Sequence, residues 1–224
     1  MKKIVVAVDG PAGAGKSTIA KEIAERMSIV YVDTGAMYRT VALFAIKNNI
    51  DFKENEEELI SKLDEIDIGI NYTSQGQRML LDGEDVSDKI RTEQVSMGAS
   101  AVAVIPAVRL KLVEIQRRLA EKQSVIMDGR DIGTYVFPDA DIKIFLTASP
   151  EMRAERRCEQ LKQNGMEVKY SDVLEDIKAR DKNDSGRSFA PLTQAPDAIL
   201  IDTTELSLEE SISMVEKTIR EGIK

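Results

Sequence analysis

The fold is decided by the stretch Gly10-Pro11-Ala12-Gly13-Ala14-Gly15-Lys16-Ser17, which matches the phosphate-loop pattern G-x-x-x-x-G-K-[ST] in full. It follows the β-branched run 4–8 and opens the amphipathic stretch 15–27, which is the strand–loop–helix context that the motif requires. Its glycines let successive backbone N–H groups point at phosphate oxygens, and the helix N-terminus adds its dipole. The stretch, with Thr18 after it, is therefore predicted to bind ATP. Lys16 is expected on the β- and γ-phosphates and Ser17 on Mg²⁺.

Short apolar runs alternate with amphipathic stretches along most of the chain. The runs, which predict strands, lie at 4–8, 29–32, 125–127, 142–146 and 198–201. The amphipathic stretches, which predict helices, lie at 15–27, 35–49, 89–121, 151–163, 171–181 and 207–222. This alternation predicts an α/β protein with a doubly wound parallel sheet. Residues 67–87 break the pattern, and Asp82-Gly83 between apolar runs predicts a small antiparallel β insert there.

The composition excludes several classes of function. The 224 residues are 42% hydrophobic and 31% charged, as in a globular domain, and the net charge of −8 argues against a nucleic-acid partner. The absence of histidine excludes a histidine-based triad or metal site, and the single Cys158 cannot form an internal disulfide. No apolar run has transmembrane length and no secretory signal is expected, so we expect no membrane partner and a cytoplasmic location. The dinucleotide-binding fingerprint fails because Thr18 occupies its third glycine position.

Four further stretches narrow the identity of the phosphoryl acceptor. They are Asp33-Thr34-Gly35-Ala36-Met37-Tyr38-Arg39, Ala99-Ser100 with Pro106-Ala107-Val108-Arg109, Asp128-Gly129-Arg130-Asp131-Ile132-Gly133-Thr134, and Arg180-Asp181 with Asp184, Arg187, Pro191 and Leu192. Together with the phosphate loop they closely resemble the bacterial cytidylate kinase (CMP kinase) family of nucleoside monophosphate P-loop kinases, over nearly the whole chain. Ala179 and Asn183 depart from the family pattern, and these departures concern only details of the lid.

The resemblance implies one domain built on a P-loop kinase core, with a β insert and a helical lid. The implied core is 1–33, 99–148 and 184–224, the region that binds the nucleoside monophosphate is 34–98 with its insert at about 67–87, and the lid is about 149–183. The implied reaction is the Mg²⁺-dependent transfer of a phosphoryl group from ATP to CMP or dCMP. The expected partners are these small nucleotides, and the chain is expected to be a monomer.

Arginine is concentrated in these motifs, since 8 of the 14 arginines fall inside them or in the lid. Its planar fork binds phosphate in a bidentate manner and stays charged. The resemblance implies that Arg39 and Arg130 hold the phosphate of CMP. It implies that Ser100, Arg109 and Asp131 contact the cytosine and that Asp184 and Tyr38 contact the ribose. Arg180 and Arg187 are implied to reach the acceptor or the transferring group. Thr34 belongs to the same CMP-binding set, and Lys16, Arg130, Arg180 and Arg187 form the catalytic set.

Several assignments keep alternatives at this point. Arg39 and Arg109 lie on predicted helices, where a solvated face or an intrahelical ion pair is the alternative, and Tyr38 is alternatively a half-buried helix residue. Asp128 either assists Mg²⁺ through water or caps the turn that follows it. Arg153, Arg156 and Arg157 share one helix face, which favours a lid that closes over the ATP phosphates, whereas the alternative is a solvated helix paired to Glu151, Glu155 and Glu159.

The function also keeps alternatives. They are another small-molecule P-loop kinase, for UMP or shikimate, and a nucleotide-gated regulatory NTPase. A guanine-reading N-K-x-D tetrapeptide is absent from the sequence, which argues against a regulatory GTPase.

Overall fold

The computed structural model describes residues 3–51, 54–73, 76–163 and 165–223. The chain divides into two compact units, a first unit of residues 1–31 and 123–224 and a second unit of residues 32–122. The strands are β1 (Val5–Asp9), β2 (Val30–Asp33), β3 (Ile68–Thr73), β4 (Gly76–Leu81), β5 (Glu84–Asp85), β6 (Val125–Gly129), β7 (Ile142–Thr147) and β8 (Ile199–Asp202). The helices are α1 (Lys16–Met27), α2 (Thr34–Lys47), α3 (Glu56–Ser61), α4 (Glu93–Val102), α5 (Pro106–Lys122), α6 (Pro150–Gln163), α7 (Tyr170–Ser185) and α8 (Leu208–Gly222).

The main sheet has five strands in the order β2-β6-β1-β7-β8. β1 lies at its centre and pairs in parallel with β6 and β7, with Asp9 in register with both Gly129 and Phe145. The middle of β1 is fully buried, as the unbroken apolar run predicts for a strand covered on both faces. The doubly wound α/β prediction is confirmed. The carboxyl ends of β1 and β6 therefore lie at one edge of the sheet, where such folds bind ligands.

The core of the first unit lies between this sheet and the helices α1 and α8. Ile19 and Ile23 of α1 belong to one buried cluster with Val215 and Ile219 of α8 and with aliphatic residues of β1, β6 and β7. A second, smaller cluster joins α6 to α7 and consists of Ala154, Cys158, Val173 and Ile177. The two helices of the predicted lid thus have an apolar contact of their own.

The second unit is built around α2, which contacts α4, α5 and β4. The predicted β insert is confirmed as an antiparallel sheet in the order β3-β4-β5. Asp82 and Gly83, which connect β4 to β5, both have positive φ (52° and 81°), as a type I′ hairpin turn requires. Ser74 and Gln75 of the predicted insert lie outside the described residues.

The helix predicted over 89–121 is wrong as a single element. The structure has a 3₁₀ turn at Lys89–Arg91, then α4 and α5, which are bent by 99° at the break between them. Pro106 is the first residue of α5 and disfavours a helical conformation at Ile105, so α4 cannot continue into α5. Thr92 marks the start of α4, since its side chain accepts a hydrogen bond from the N–H of Val95. The short helix α3 and a π-helical turn at Ile132–Val136 are also absent from the sequence prediction.

Within the described parts of the chain, no single helix is long and apolar enough to cross a membrane, and α4 and α5 meet the length and composition requirement only as a bent pair.

Candidate active site

The backbone conformation of the phosphate loop requires glycine at three positions. Gly10, Gly13 and Gly15 have φ values of 146°, 78° and 89°, in the region that favours glycine. At Gly10 a Cβ atom would lie 1.9 Å from the carbonyl oxygen of Leu146, so no other residue fits there without a backbone shift. The motif therefore describes a loop that runs closely against β7 before it enters α1.

Lys16 is almost completely buried at the start of α1, and its Nζ donates a hydrogen bond to the carbonyl oxygen of Pro11 at 2.7 Å. Burial holds the pKa of Lys16 well below its ordinary value, and the charge of Arg130 lowers the pKa further. Asp128, Asp9 and Asp184 oppose this lowering. The ammonium group thus lies in a site where an added phosphate would favour its charged form.

Asp128 lies beside Ser17, as a shared role in magnesium binding requires. The hydroxyl of Ser17 donates to Oδ2 of Asp128 at 2.5 Å, and the hydroxyl of Tyr31 donates to Oδ1 at 3.0 Å. Hydroxyl and carboxylate oxygens suit Mg²⁺, which takes few protein ligands and completes its shell with water and phosphate. In the parts of the chain that the structure describes, no group of three or more His, Cys, Asp or Glu side chains could hold a metal ion. The hydroxyl of Ser17 and the carboxylate of Asp128 therefore fit the oxygen ligands that Mg²⁺ prefers, and Tyr31 is a contact that the sequence reasoning missed.

Asp9 is a second residue that the sequence reasoning missed. It ends β1 directly before Gly10, is 4% exposed, and its carboxylate accepts hydrogen bonds from the N–H groups of Ile132 at 2.8 Å and Gly133 at 2.7 Å. Burial raises the pKa of Asp9 to about 6, assisted by the charge of Asp131 and opposed by the two backbone hydrogen bonds and by Lys16. An acidic residue at the end of an otherwise aliphatic buried strand was the available signal.

Three residues predicted for the acceptor side meet in the first unit. Arg130 donates through Nε to Oδ2 of Asp184 at 2.6 Å, and Arg187 donates to the other carboxylate oxygen. Asp184 is buried, which would raise its pKa, but the charges of Arg130 and Arg187 outweigh burial and hold the pKa below its ordinary value. Arg180 is exposed on α7 and adds to this lowering through its charge. Two predicted phosphate-binding arginines are thus held by one carboxylate, and their contact with an anion stays a prediction.

The three arginines of α6 occupy different surroundings. Arg153 is buried, donates to the carbonyl oxygen of Ala12 in the phosphate loop at 3.1 Å, and binds Asp181 of α7 with both terminal nitrogens at 2.9 and 2.6 Å. Arg156 donates to the carbonyl oxygen of Thr203 at 2.7 Å. The exposed Arg157 donates to Gln160 at 2.7 Å, and Glu151 pairs with Lys178 at 3.4 Å. The contact of the three with ATP stays a prediction.

In the second unit, the start of α2 is held from two directions. Asp33 caps the helix by accepting from the N–H of Ala36 at 2.8 Å, and its Oδ2 pairs with Arg39 at 3.0 Å. The N–H of Asp33 in turn donates to the side-chain oxygen of Gln77 in β4 at 2.9 Å. The next residue, Thr34, is buried. The insert thus contacts the helix that carries the predicted residues Thr34, Tyr38 and Arg39, and Gln77 was not predicted.

The remaining predicted residues of the second unit are Tyr38, Ser100 and Arg109. The guanidinium carbon of Arg109 lies 5.8 Å from the centre of the Tyr38 ring, at cation–π distance. Arg109 is 1% exposed and donates to the carbonyl oxygen of Ala103 at 3.1 Å. Ser100 is half-buried in α4. The structure therefore brings Tyr38 and Arg109 together, and the direct contact of this set with a base stays a prediction.

The sequence profile of the family described as cytidylate kinase matches residues 6–221. The chain belongs to the cytidylate kinase family. It is 55% identical over 216 residues to a cytidylate kinase from Caldicellulosiruptor saccharolyticus, covering 96% of this chain and 95% of the relative. It is 48% identical over 209 residues to a cytidylate kinase from Bacillus subtilis, covering 93% of each. The family confirms the resemblance that the motifs indicated.

Solved structures support the fold alone. An uncharacterized protein from Eubacterium ventriosum matches with a TM-score of 0.55 and 17% identity, over 97% of this chain and 99% of that one. A shikimate kinase from Bacteroides thetaiotaomicron matches with a TM-score of 0.51 and 14% identity, over 98% of each chain.

Proposed function

We propose that the chain transfers the γ-phosphoryl group of ATP to CMP and dCMP, which yields ADP and CDP or dCDP. The observation that carries the proposal is the cluster of Arg130, Asp184 and Arg187, which gathers two guanidinium groups in the same unit as the phosphate loop. In a chain of net charge −8, this local concentration of arginine supports a phosphate-bearing acceptor. Membership of the cytidylate kinase family supports CMP as that acceptor.

On the donor side, the loop N–H groups and Lys16 bind the ATP phosphates. Lys16 would exchange its bond to the carbonyl oxygen of Pro11 for bonds to β- and γ-phosphate oxygens. Because the phosphates are anionic, they favour the ammonium form of Lys16 that burial alone disfavours. Thr18, exposed on the first turn of α1, is in the same predicted ATP-binding set.

Ser17 and Asp128 are the residues that would hold magnesium. Mg²⁺, when bound with ATP, neutralises charge on the β- and γ-phosphate oxygens. The hydroxyl of Ser17 is held at the carboxylate of Asp128, and Tyr31 fixes the second carboxylate oxygen. The protein therefore orients one direct ligand and one carboxylate that acts directly or through water.

On the acceptor side, the protein mainly orients CMP, because phosphoryl transfer needs an in-line approach and neutralised charge rather than covalent help from the enzyme. Arg180 and Arg187 contact the acceptor phosphate or the transferring group. The other assignments are Arg39 and Arg130 to the phosphate of CMP, Tyr38 and Asp184 to the ribose, and Ser100, Arg109 and Asp131 to the cytosine. Thr34 belongs to the same CMP-binding set.

The pair of helices α6 and α7 is proposed as the lid. Their shared apolar cluster lets them move as one body, and closure would exclude water from the transferring group. Arg156 and Arg157 would then approach the ATP phosphates from α6. Arg153 contributes through the phosphate loop itself, since it already holds the carbonyl oxygen of Ala12.

A coupled assay of ADP release tests the proposal with CMP, dCMP, UMP, AMP and shikimate as acceptors. We expect slow ADP release from ATP alone and strong acceleration by CMP and dCMP. Rapid release without an acceptor would contradict a kinase and favour a nucleotide-gated NTPase. Greater acceleration by UMP or by shikimate would favour another small-molecule kinase.

We also propose that the protein acts as a cytoplasmic monomer. The sole cysteine, Cys158, is buried against the α6–α7 cluster, where a reducing compartment leaves it as an ordinary packing residue. Sedimentation at several protein concentrations, with and without nucleotides, measures the oligomeric state. A mass above 24.9 kDa that grows with concentration would contradict the monomer.

A further inference from the structure

Asp9 is a buried charged residue to which the proposed chemistry gives no role. It ends β1, is 4% exposed, and accepts one hydrogen bond on each carboxylate oxygen. Both donors are backbone N–H groups, of Ile132 at 2.8 Å and of Gly133 at 2.7 Å. These residues directly follow Asp131 and begin the π-helical turn Ile132–Val136. The carboxylate therefore fixes the first two peptide groups after Asp131.

A carboxylate is suited to this position for a chemical reason. It can accept on both oxygens, whereas an amide side chain offers one acceptor and would turn its N–H₂ group toward the second backbone N–H. Burying the charge is costly, as the raised pKa of Asp9 shows. A neutral or apolar residue would avoid this cost, but it would not accept both backbone hydrogen bonds, from Ile132 and from Gly133.

Asp9 also lies within electrostatic reach of both sides of the proposed reaction. Lys16 of the phosphate loop attracts it and Asp131 repels it. Gly133 leaves room for the contact, because a Cβ there would lie 3.3 Å from Oδ2 of Asp9 and 3.2 Å from the side chain of Lys143. The residues that face Asp9 are thus the loop lysine, the turn after Asp131, and a glycine that cannot be enlarged without pushing a neighbour.

We propose that Asp9 is a positioning residue for the acceptor, which holds the turn after Asp131 so that Arg130 and Asp131 are presented to CMP. This inference rests on the proposed function. Asp9 itself touches no substrate in this scheme. Its effect on CMP passes through the peptide groups of Ile132 and Gly133, and it should be separable from any effect on ATP.

The test compares Asp9→Asn with the wild-type protein by direct titration of CMP and of ATP and by steady-state kinetics. Loss of one good hydrogen bond and the strain on its neighbour should raise Kd and KM for CMP by about 5- to 10-fold. The constants for ATP should stay within about 2-fold, because the two hydrogen bonds that the change disturbs come from Ile132 and Gly133, neither of which belongs to the phosphate loop. A purely structural defect would weaken both ligands together, and that result would overturn the inference.

Two further variants keep the test decisive. Asp141→Asn is the matched control, because the carboxylate of Asp141 accepts the N–H of Val5 at 2.9 Å at the other end of β1 and is exposed. We expect no change in CMP or ATP binding for it. Gly133→Ala pushes the turn without a change of charge and should raise Kd for CMP by at least about 2-fold with ATP unchanged. If Asp9→Asn does not fold, Gly133→Ala becomes the test. An unchanged Kd for CMP in Gly133→Ala would then overturn the inference.

Hydrogen exchange gives a readout that needs no turnover. Segment 130–136 should exchange at least about 5-fold faster in Asp9→Asn, and the phosphate loop should not. With a wild-type protein that phosphorylates CMP, unchanged exchange or unchanged CMP affinity in the variant overturns only the inference. A wild-type protein that neither binds nor phosphorylates CMP overturns the proposed function and the inference with it.

Discussion

At the scale of single residues, Lys16 shows how the structure prepares a charge for the reaction. Its burial and its bond to the carbonyl oxygen of Pro11 place the ammonium group inside the loop before ATP arrives. Once this bond is exchanged for bonds to the β- and γ-phosphate oxygens, a cation held in the loop stabilises charge on the transferring group without reorganisation during the reaction. Lys16→Ala should therefore lower kcat by about 100- to 1,000-fold, which corresponds to about 3–4 kcal/mol of transition-state stabilisation. Steady-state ADP release measures it.

The control for this prediction is Lys217→Ala, an exposed lysine of α8 with no proposed role. It should turn over like the wild-type protein, and circular dichroism should show both variants folded. A Lys16→Ala variant that kept a tenth of the wild-type kcat would mean that the loop lysine does not carry the chemistry.

Asp131 is the residue whose chemistry can distinguish cytosine from uracil. Cytosine presents an N4 amino donor where uracil presents an O4 acceptor, and a carboxylate accepts from the first and repels the second. Asp131→Asn keeps the shape and supplies an amide that can donate to O4. A hydrogen bond to a charged group contributes about 1.5–3 kcal/mol, so kcat/KM for CMP should fall by roughly 10- to 150-fold while UMP is unchanged or improved. Parallel kinetics on CMP and UMP measure the ratio.

Asp131 is buried next to the turn that Asp9 holds, so a role in supporting the fold is the alternative to recognition of the base. Arg109→Met provides the comparison, because loss of a contact that both pyrimidines share should weaken CMP and UMP together. An equal loss of CMP and UMP turnover in Asp131→Asn would show that Asp131 supports the fold or the phosphate arrangement rather than reading the base.

At the scale of elements, the β insert contacts the start of α2 through Gln77. Gln77 of β4 accepts the N–H of Asp33, and Asp33 both caps α2 and pairs with Arg39. Gln77→Ala removes the acceptor for a half-buried N–H, at a cost of about 1 kcal/mol. KM for CMP should rise about 5-fold while KM for ATP stays constant, because the disturbed helix carries Tyr38 and Arg39 and the phosphate loop lies in the other unit.

The matched control for Gln77→Ala is Gln94→Ala, which removes an exposed glutamine from α4 in the same unit. It should leave both KM values unchanged. If Gln77→Ala raised KM for ATP instead of CMP, the insert would act on the donor side and the role given to α2 would be wrong.

Elements that local sequence dictates were predictable, and those that depend on distant contacts were not. The parallel strands followed from unbroken β-branched runs, and the β4–β5 turn followed from Asp82-Gly83. The break at Ile105 was overlooked although Pro106 marks it, because the amphipathic pattern continues on both sides. The π-helical turn depends on Asp9, 123 residues away, for its first hydrogen bond. The partners of Arg153, which are Ala12 and Asp181, could not be predicted from its spacing in α6 because they are distant in sequence.

At the scale of the whole molecule, the chain carries a net charge of −8 and yet gathers cations where phosphates are proposed to bind. Arg130 and Arg187 share the carboxylate of Asp184, which keeps the pKa of that group low. The stabilisation from this pairing is present above the ordinary pKa of an aspartate and is lost as the pH falls through the lowered pKa. The pKa of Asp9 is raised instead, so its contribution to stability is lost as the pH rises. The contributions of these two carboxylates to stability therefore change with pH in opposite directions.

The raised pKa of Asp9 makes its effect on stability depend on pH in a direction that can be measured. In the unfolded chain Asp9 titrates near 3.8, and in the folded protein near 6. Between these values the folded state binds more protons than the unfolded state, so the contribution of Asp9 to stability falls as the pH rises from about 4 to about 6 and is constant above that range. About two pKa units correspond to about 3 kcal/mol.

Asp9→Asn lacks this titration and keeps every other ionisable side chain, so below about pH 6 the difference between the two proteins reports on Asp9. Near pH 7 the difference also includes a change in the pKa of Lys16, which the charge of Asp9 raises. We expect the variant to be less stable than the wild-type protein near pH 4, where it lacks one backbone hydrogen bond, and to match or exceed it near pH 7, where it avoids a buried charge. For a chain of this length, a change of about 3 kcal/mol moves the difference in Tm by roughly 6–12 °C between the two pH values. Thermal unfolding of both proteins at matched scan rate from pH 4 to pH 8 measures it. A difference that stays constant, or that grows in favour of the wild-type protein as the pH rises, would mean that Asp9 is not a buried carboxylate with a raised pKa.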